Sequence, residues 1–589
     1  MTTIETDVLI AGSGPAGATA AVLLSSQDIP NIMLNRHGSV ANSPRAHITN
    51  QRTMEILRDL GLEDEAKAWA MEQPMMGSTV WVSSLSGMEF GRLQTWYTHP
   101  EWKGQHDLAS ATAICDLPQD RLEPILVTAA GLRGTTQVLN TELLTFTQDS
   151  DGVTAQVRDR VTGNTYEIRA KYLIGADGGR STVVEQLGLP MEGEMGEGGN
   201  INVVFKADLS HLVAHRPADM YWMIQPGTGH GGLGLGVLRM IQPYRRFMAT
   251  WGYDPAEGAP ELTDELGTQI AHQLIGDDTV PVEIESVSIW SVNHMNVTDN
   301  MAGRVFVAGD AAHRHTPMHG LGSNTSIQDS FNLAWKIAYV LKGLAGPDLL
   351  ETYRAERVPV ARKLVDRVRR TFGVVPPMFM ALRLPPTADR AAYDAALAAI
   401  EVPTKENAAQ RRELSDAVLG TLTIFQTHGM EMNQFYDSAA VVTDGQPAPQ
   451  PEKDPEFWYF PSTFPGHHLI HAWLTRDQRK VPLIDLVGKG RFTILTGPSG
   501  AEEWKAAAAL ARDKLDLEVT VHSIGLGGDY QDTYGTFGRH AGIAEDGALL
   551  VRPDHIIGWR AQDSAQAGRL PDVLRQLLSA GDSNSKIGN

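Results

Sequence analysis

Short apolar runs that each stop at a glycine recur along this chain. Residues 6–11, 172–176 and 304–308 read as buried strands, and they lead into Gly12, Asp177-Gly178 and Gly309-Asp310. The alanine- and leucine-rich stretch 15–25 predicts a helix and 32–35 a second strand, which completes a βαβ unit. Residues 324–341 carry Ile327, Phe331, Leu333, Ala334, Ile337, Ala338 and Leu341 at helical spacing, and 349–368 continue as a helix. The interval from about 200 to 290 is different. Segments 201–209, 219–225, 231–239, 246–253 and 282–292 are rich in β-branched and aromatic residues, with turns such as Pro226-Gly227 between them. They predict an inserted antiparallel sheet, with further strands from 76–96. Pro376-Pro377, Pro385-Pro386 and the stretch 447–455 mark breaks. Beyond them a strand (491–496), helix (501–515), strand (518–524), hairpin (548–551 and 556–559) and helix (571–578) follow in a thioredoxin-like order.

The glycine turns suggest what the strands carry. In Gly12-Ser13-Gly14-Pro15-Ala16-Gly17, the first glycine allows the tight turn, Gly14 lets backbone approach a pyrophosphate, and Gly17 lets helix pack on strand. The helix N-terminus then offers free N–H groups and its positive dipole end to phosphate. Asn35, followed by Arg36, stands where an acidic ribose ligand is usual. Asp177 is suited to ribityl hydroxyls or a fixed water, and Arg180 to the phosphates of a nicotinamide cofactor. Asp310 closes a strand and is suited to a ribityl chain. Pro317, Gly320, Gly322 and Asn324 lead into the long helix, whose N-terminus would stabilise negative charge on a flavin ring by about 0.3–2 kcal/mol. Together the three turns predict FAD. His313, His315 and His319 stand in the same segment, without cysteine or paired carboxylate, and read as hydrogen-bonded loop residues rather than metal ligands.

Composition narrows this. At 589 residues the chain requires two or three domains. Its formal charge of −20 repels nucleic acid and anionic membranes, so phosphate binding is local. Cys115 is the single cysteine, which excludes a disulfide framework and fits a cytoplasmic enzyme. No apolar run reaches the ~20 residues of a membrane span. The resulting expectation is an α/β protein. Its FAD-binding Rossmann-like domain is discontinuous (1–75, 105–180 and 290–375), and a substrate-binding sheet domain is inserted at 76–104 and 181–289. A linker and helical connection (376–465) leads to a thioredoxin-like C-terminal domain at 466–589, which lacks the two close cysteines of redox work.

Gly12–Gly17, Asp177-Gly178 and Gly309-Asp310 resemble the three signatures of class A flavin-dependent aromatic hydroxylases. The run from Pro44 to Glu55 and residues 320–336 are similar to the phenol hydroxylase branch, as is the C-terminal run Leu549-Leu550-Val551-Arg552-Pro553-Asp554. The resemblance covers essentially the whole chain. It implies that NAD(P)H binds transiently and reduces FAD, and that dioxygen adds to give a C4a-hydroperoxide. A phenolic ring is then hydroxylated, usually ortho to its hydroxyl. It further implies that Arg45 contacts the FAD pyrophosphate, Gln119 the ribityl or phosphate region and Asp310 the ribityl chain. His47, Asp219 and Arg239 would face the phenol, with His47 as general base, and the protein would be a homodimer or homotetramer.

A dry chamber needs apolar walls, and Tyr221, Trp222, Met223, Trp290, Met318 and Leu321 are the candidates. Other readings are a tailoring hydroxylase of a larger aromatic or polyketide, a flavin dehydrogenase or reductase, and a flavoprotein scaffold without catalysis.

Overall fold

The computed structural model describes residues 3–225, 234–384 and 389–579. Pro226-Gly227, the start of the 231–239 strand and Pro385-Pro386 lie outside the described residues.

The first βαβ unit forms as the pattern dictates. Strand Thr3–Ala11 lies parallel between Asn31–Leu34 and Thr165–Gly175, and Val305–Val307 adds to the far side of the latter. The register pairs Ala11 with Gly175 and Gly175 with Val307, so all three glycine turns emerge at the same carboxyl edge. In open α/β sheets that edge is where ligands bind. Helices Pro15–Ser25 and Gly322–Leu341 pack beside one another on this sheet. Strands Thr141–Gln148 and Val153–Asp159, absent from the sequence reading, extend it as an antiparallel meander.

Among the described residues the inserted sheet has eight strands, including Met191–Lys206, Met220–Ile224, Leu235–Gln242, Arg246–Tyr253, Glu283–Val297, Thr79–Val82 and Glu89–Leu93. Period-two alternation gives it two distinct faces. Tyr221 stands opposite Leu238, and Leu238 opposite Ala249. That face is covered by helix Asp264–Ile275, whose Gly267 lies against Val287 and Val203. Trp222 stands opposite Val237 and Trp81, while Met220 stands opposite Arg239, which puts Trp222 and Arg239 on the other face.

The stretch expected as a linker and helical connection is helical at its start and sends several side chains into the core. Met378, Tyr393, Leu414, Val418 and Phe425 are buried in the same apolar cluster as Trp81 and Trp222. Their helices, Pro376–Ala381, Arg390–Glu401 and Lys405–Gly420, thus complete the sheet domain. The C-terminal unit has the expected order of Phe492–Thr496, Ala501–Leu515, Val519–Ser523, Ala548–Val551, Ile557–Ala561 and Leu570–Leu577. Among the described residues, no helix is long and apolar enough to cross a membrane.

Candidate active site

The nucleotide crevice is built mostly of backbone. Gly12 has φ +109°, and a Cβ there would lie 2.1 Å from the Ala176 carbonyl oxygen, so only glycine joins the two strand ends. Gly14 is different. A Cβ on it would meet no protein atom closer than Glu123 Oε1 at 3.9 Å, so the space in front of it is open. Helix Pro15–Ser25 starts at Gly14 without a side-chain cap, and helix Gly322–Leu341 starts without one as well. Both present unsatisfied N–H groups to the crevice. Asp310 is exposed, and desolvation by the surrounding protein raises its pKa. Arg45 is exposed too, and its charge acts on both Asp310 and Glu123. Gln119 donates to Glu123 Oε1 at 2.5 Å and accepts a long bond from the Ala46 N–H at 3.4 Å. Open space before Gly14, two uncapped helix ends, a cation and an open carboxylate are the donor set a dinucleotide needs.

Several residues expected to touch the cofactor also make structural bonds. Asn35 donates to the Ser39 carbonyl and accepts from the His37 N–H, which shapes the 35–39 turn; Arg36 lies exposed beside His37. Asp177 accepts from Ser181 Oγ and the Val183 N–H, so its carboxylate secures the start of helix Thr182–Leu187. Asn324 donates to the Ile48 carbonyl at 2.7 Å and accepts from the Asn50 N–H at 3.0 Å, clamping helix to strand just after His47. Gly320, at φ +65°, leaves room for Ile48, since a Cβ would lie 2.7 Å from the Ile48 Cβ. Gly322 is half-buried beside His315, and Pro317 is exposed. Asp329, which sequence reasoning missed, accepts from the Gly309 N–H, His313 and Arg357, and thereby holds the Gly309-Asp310 turn. The three loop histidines have protein partners: His313 has Asp329, His315 the Thr316 carbonyl, and His319 both Ile424 and Thr371.

The second cluster is made of side chains from four distant segments. Strand Ile48–Thr49 pairs antiparallel with Cys115–Asp116, and the Leu117 N–H donates to the His47 carbonyl. This register sets His47 beside Asp116, with Nδ1 2.8 Å from Asp116 Oδ2. From the sheet face, Arg239 donates to Asp116 Oδ1 at 2.8 Å and to the Pro44 carbonyl at 2.6 Å. Asp219 Oδ2 accepts the Trp96 indole N–H at 2.6 Å. Asp116, Arg239 and Asp219 are fully buried, while the His47 side chain keeps 13% of its surface. The cluster therefore opens at the imidazole.

Electrostatics assign the protons. Burial pushes Asp116 up, but Arg239 and His47 more than reverse this and hold it below the ordinary carboxylate value. Asp219 goes the other way: burial, then the Asp116 charge, raise it well above that range, which favours its neutral form. Burial and Arg239 lower His47, against the pull of Asp116. A neutral His47 beside an ionised Asp116 carries its proton on Nδ1, leaving the Nε2 lone pair free. Within this cluster, among the described residues, two buried atoms have no protein partner, Asp219 Oδ1 and Arg239 Nε. Ligand atoms of His47, Asp116 and Asp219 lie within 4.8 Å of one another, close enough for a cation. Arg239 already supplies that charge to Asp116, and a protonated Asp219 is a poor ligand.

The walls correct part of the sequence reading. Tyr221 and Met223 lie on the helix-covered face, and Tyr221 donates to the Arg216 carbonyl; the two-residue period sends them away from the site. Leu321 packs with Leu364 and Val368 under helix Glu351–Thr371. Trp290 shares the face of Arg239 but lies three strands away, roughly 14 Å at ordinary strand spacing, bonded to Asn202. Trp222 does line the site face, stacked on Trp81 at 5.0 Å, with Phe425 edge-on at 6.5 Å. Trp96 meets Phe425 edge-on at 5.3 Å, and Met318 packs against the same cluster. Asp116 and Trp96 escaped sequence reasoning. The one available signal was a carboxylate inside the apolar run Ala113-Ile114-Cys115-Asp116-Leu117-Pro118.

Comparison with known proteins decides the family. Residues 5–368 match the FAD binding domain model, and residues 462–581 match the model of the aromatic-ring hydroxylase C-terminal domain. The chain belongs to the FAD-dependent aromatic-ring hydroxylases. It is 49% identical over 98% of its length to 2,4-dichlorophenol 6-monooxygenase of Delftia acidovorans, covering 99% of that protein. It is 45% identical to phenol 2-monooxygenase of Pseudomonas sp. (strain EST1001), over 95% of this chain and 90% of that one. The flavin-dependent monooxygenase PieE, solved with FAD and substrate, superposes with TM-score 0.94 at 39% identity, covering 98% of this chain and 99% of PieE. The chain is thus a class A flavin monooxygenase that uses FAD with NAD(P)H and dioxygen.

Proposed function

We propose that this enzyme hydroxylates a small phenol at the ring carbon beside its hydroxyl, with His47 taking the phenolic proton. The observation that carries the reading is the free Nε2 of a half-buried His47 whose Nδ1 is held by ionised Asp116, on the rim of an aromatic-walled site. The overall reaction balances as phenol, O₂, NAD(P)H and a proton giving catechol, water and NAD(P)⁺. When bound, FAD would supply the redox chemistry, taking hydride equivalents from NAD(P)H and passing them to dioxygen.

The chain's own residues do the rest. The turn from Gly12 to Gly17, Arg45 and Gln119 would hold the pyrophosphate and ribityl region, and Asp310 the ribityl hydroxyls. A phenolate is attacked faster than a phenol, but phenol pKa values near 10 against ~6.5 for an ordinary histidine leave a gap of about 5 kcal/mol, and the lowered pKa of His47 widens it. Arg239 Nε–H and the neutral Asp219 O–H narrow it as donors to the developing oxyanion. Asp116 fixes the imidazole tautomer and shares its charge between His47 and Arg239. Trp81, Trp222, Phe425 and Met318 keep water out. A simple phenol is preferred over a polyketide because identity to the phenol-named relatives, 45–49%, exceeds the 34% to tetracenomycin A2 monooxygenase-dioxygenase. The family resemblance also supports a homo-oligomer, to be read by light scattering.

The test is a panel of substituted phenols with NADH and NADPH, with product identified and peroxide counted. His47→Ala should remain yellow and folded while hydroxylated product falls ~10²–10³-fold. Undiminished product would remove the base, and no product from any phenol with wild-type enzyme would remove the substrate class.

A further inference from the structure

Hairpin tips lie on protein surfaces, because a buried turn strands its polar backbone. The tip between strands Ala548–Val551 and Ile557–Ala561 of the C-terminal domain does the opposite. Arg552, Pro553, Asp554 and His555 are all buried, and His555 sits at φ +66°, a backbone conformation uncommon for a residue with a side chain.

The FAD-binding domain satisfies this tip group by group. Arg52 donates Nη2 to the Asp554 carbonyl at 2.7 Å, and its Nη1 lies 3.0 Å from His555 Nδ1. His555 Nε2 then donates to Asp59 at 3.1 Å. On the other side Asn332 donates to Asp554 Oδ2 at 3.2 Å, Arg552 forks onto Glu356 at 2.6 and 2.9 Å, and Phe331 meets the His555 ring edge-on at 5.0 Å. Arg52 and Asp59 belong to helix Gln51–Asp59, which starts just after His47. Phe331 and Asn332 belong to helix Gly322–Leu341, which starts at the flavin crevice.

These two helices are already joined at their N-terminal ends by Asn324, which bonds Ile48 and Asn50. Further along, Arg52 lies over the Phe331 ring at 5.4 Å, and both of these residues also meet His555 of the tip, so a second joint that fixes the helices' direction is made there. We propose that the buried tip 552–555 is that second joint, a positioning element that holds the helix behind His47 at a set angle to the flavin helix. Resting on the hydroxylase reading, this gives the C-terminal domain a part in coupling, since about 1 Å of misplacement at a reacting pair costs up to 10²-fold in rate. Glu55, His468 and His555 are also close enough together for a metal ion. Arg52 Nη1 already bridges Glu55 and His555, and its charge occupies the role a cation would fill.

The test uses the full-length holoenzyme with Arg52→Lys, which keeps the charge and loses the fork. His555→Asn is the second variant, since asparagine tolerates the left-handed backbone. Trp504→Phe is the control, disturbing the C-terminal core away from the tip. Both tip variants should keep FAD and a phenol KM within twofold of wild type. Product per NAD(P)H should fall at least threefold, with hydrogen peroxide making up the balance. Hydrogen exchange at residues 47–53 should speed at least tenfold while strand Phe492–Thr496 stays protected. Wild-type coupling in both variants, unchanged exchange at 47–53, or equal uncoupling in Trp504→Phe would overturn the proposal. Wild-type enzyme that forms no hydroxylated phenol would overturn the substrate reading instead, and the exchange comparison would still decide whether the tip holds the helix.

Discussion

Two buried charge clusters, one at His47 and one at Glu356, differ in a way that separates function from architecture. Around Glu356, Lys336, Arg552, Asp554 and Asn332 are buried and each polar atom is matched: Glu356 takes bonds from Lys336, Arg552 and Asn332. Around Asp116 the same chemistry stops short, with Asp219 Oδ1 and Arg239 Nε left over. Burial of an unmatched polar group costs about 1–3 kcal/mol. Such a cost is tolerated where a ligand completes the set, whereas a closed network joins domains.

The largest effect is expected in the closed network. Glu356→Gln leaves Arg552 and Lys336 facing Asp554 alone, and should cost about 3–5 kcal/mol in denaturant unfolding. A small loss would mean that the network is not the domain joint. Next comes the crevice. Gly14→Ala adds a methyl where no protein atom stands, so the apoprotein should unfold within ~0.5 kcal/mol of wild type. FAD affinity should nonetheless drop at least ~10-fold by fluorescence titration; unchanged affinity would move the pyrophosphate elsewhere.

Glu431 stands between the two cases. It accepts from Tyr97 and Thr427, its other oxygen is unmatched, and burial raises its pKa to about 7. A raised carboxyl binds more protons folded than unfolded, so wild-type stability should fall as pH climbs from about 4.5 through 7. Glu431→Gln should therefore gain up to ~3 kcal/mol on wild type at pH 8 and little at pH 4. A constant difference between the two pH values would refute the shift.

The smallest effect tests the open cluster. His47 must be neutral to act as base, and its pKa is lowered, so the acid limb of kcat/KM should lie below pH 6.5. Asp116 is the group that raises it. Asp116→Asn should thus shift the limb to still lower pH and slow turnover about 10-fold at pH 8 through loss of the fixed tautomer. A shift toward higher pH would contradict the assigned roles.

The crevice was readable because it is local. Gly12, Gly14 and Gly17 act through backbone within one turn, and short-range geometry is written in consecutive residues. Helix Gly322–Leu341 and the C-terminal order followed from periodicity in the same way. The antiparallel meander at 141–159 was missed because its strands are mostly half-exposed and polar. The region 376–465 read as a linker and helical connection because its prolines signal breaks, while the burial of Met378, Leu414 and Phe425 depends on a sheet some 150 residues earlier.

The site itself was half legible. His47, Asp219 and Arg239 came from resemblance, and the structure gathers them. Asp116 links two of them, and no local pattern marks it.

What the sequence determined alone was the set of glycine-terminated strand ends that meet at one edge of the sheet, since glycine spacing and apolar period act over a few residues. Only tertiary structure decided which side of the inserted sheet faces the site, sending Trp222 toward it and Tyr221 away. It also decided that the pKa of Asp116 is pulled down while that of Asp219 is pushed up. A proton's position depends on the summed field of groups brought together by folding, and Arg239 and His47 reach Asp116 across 123 and 69 residues of chain.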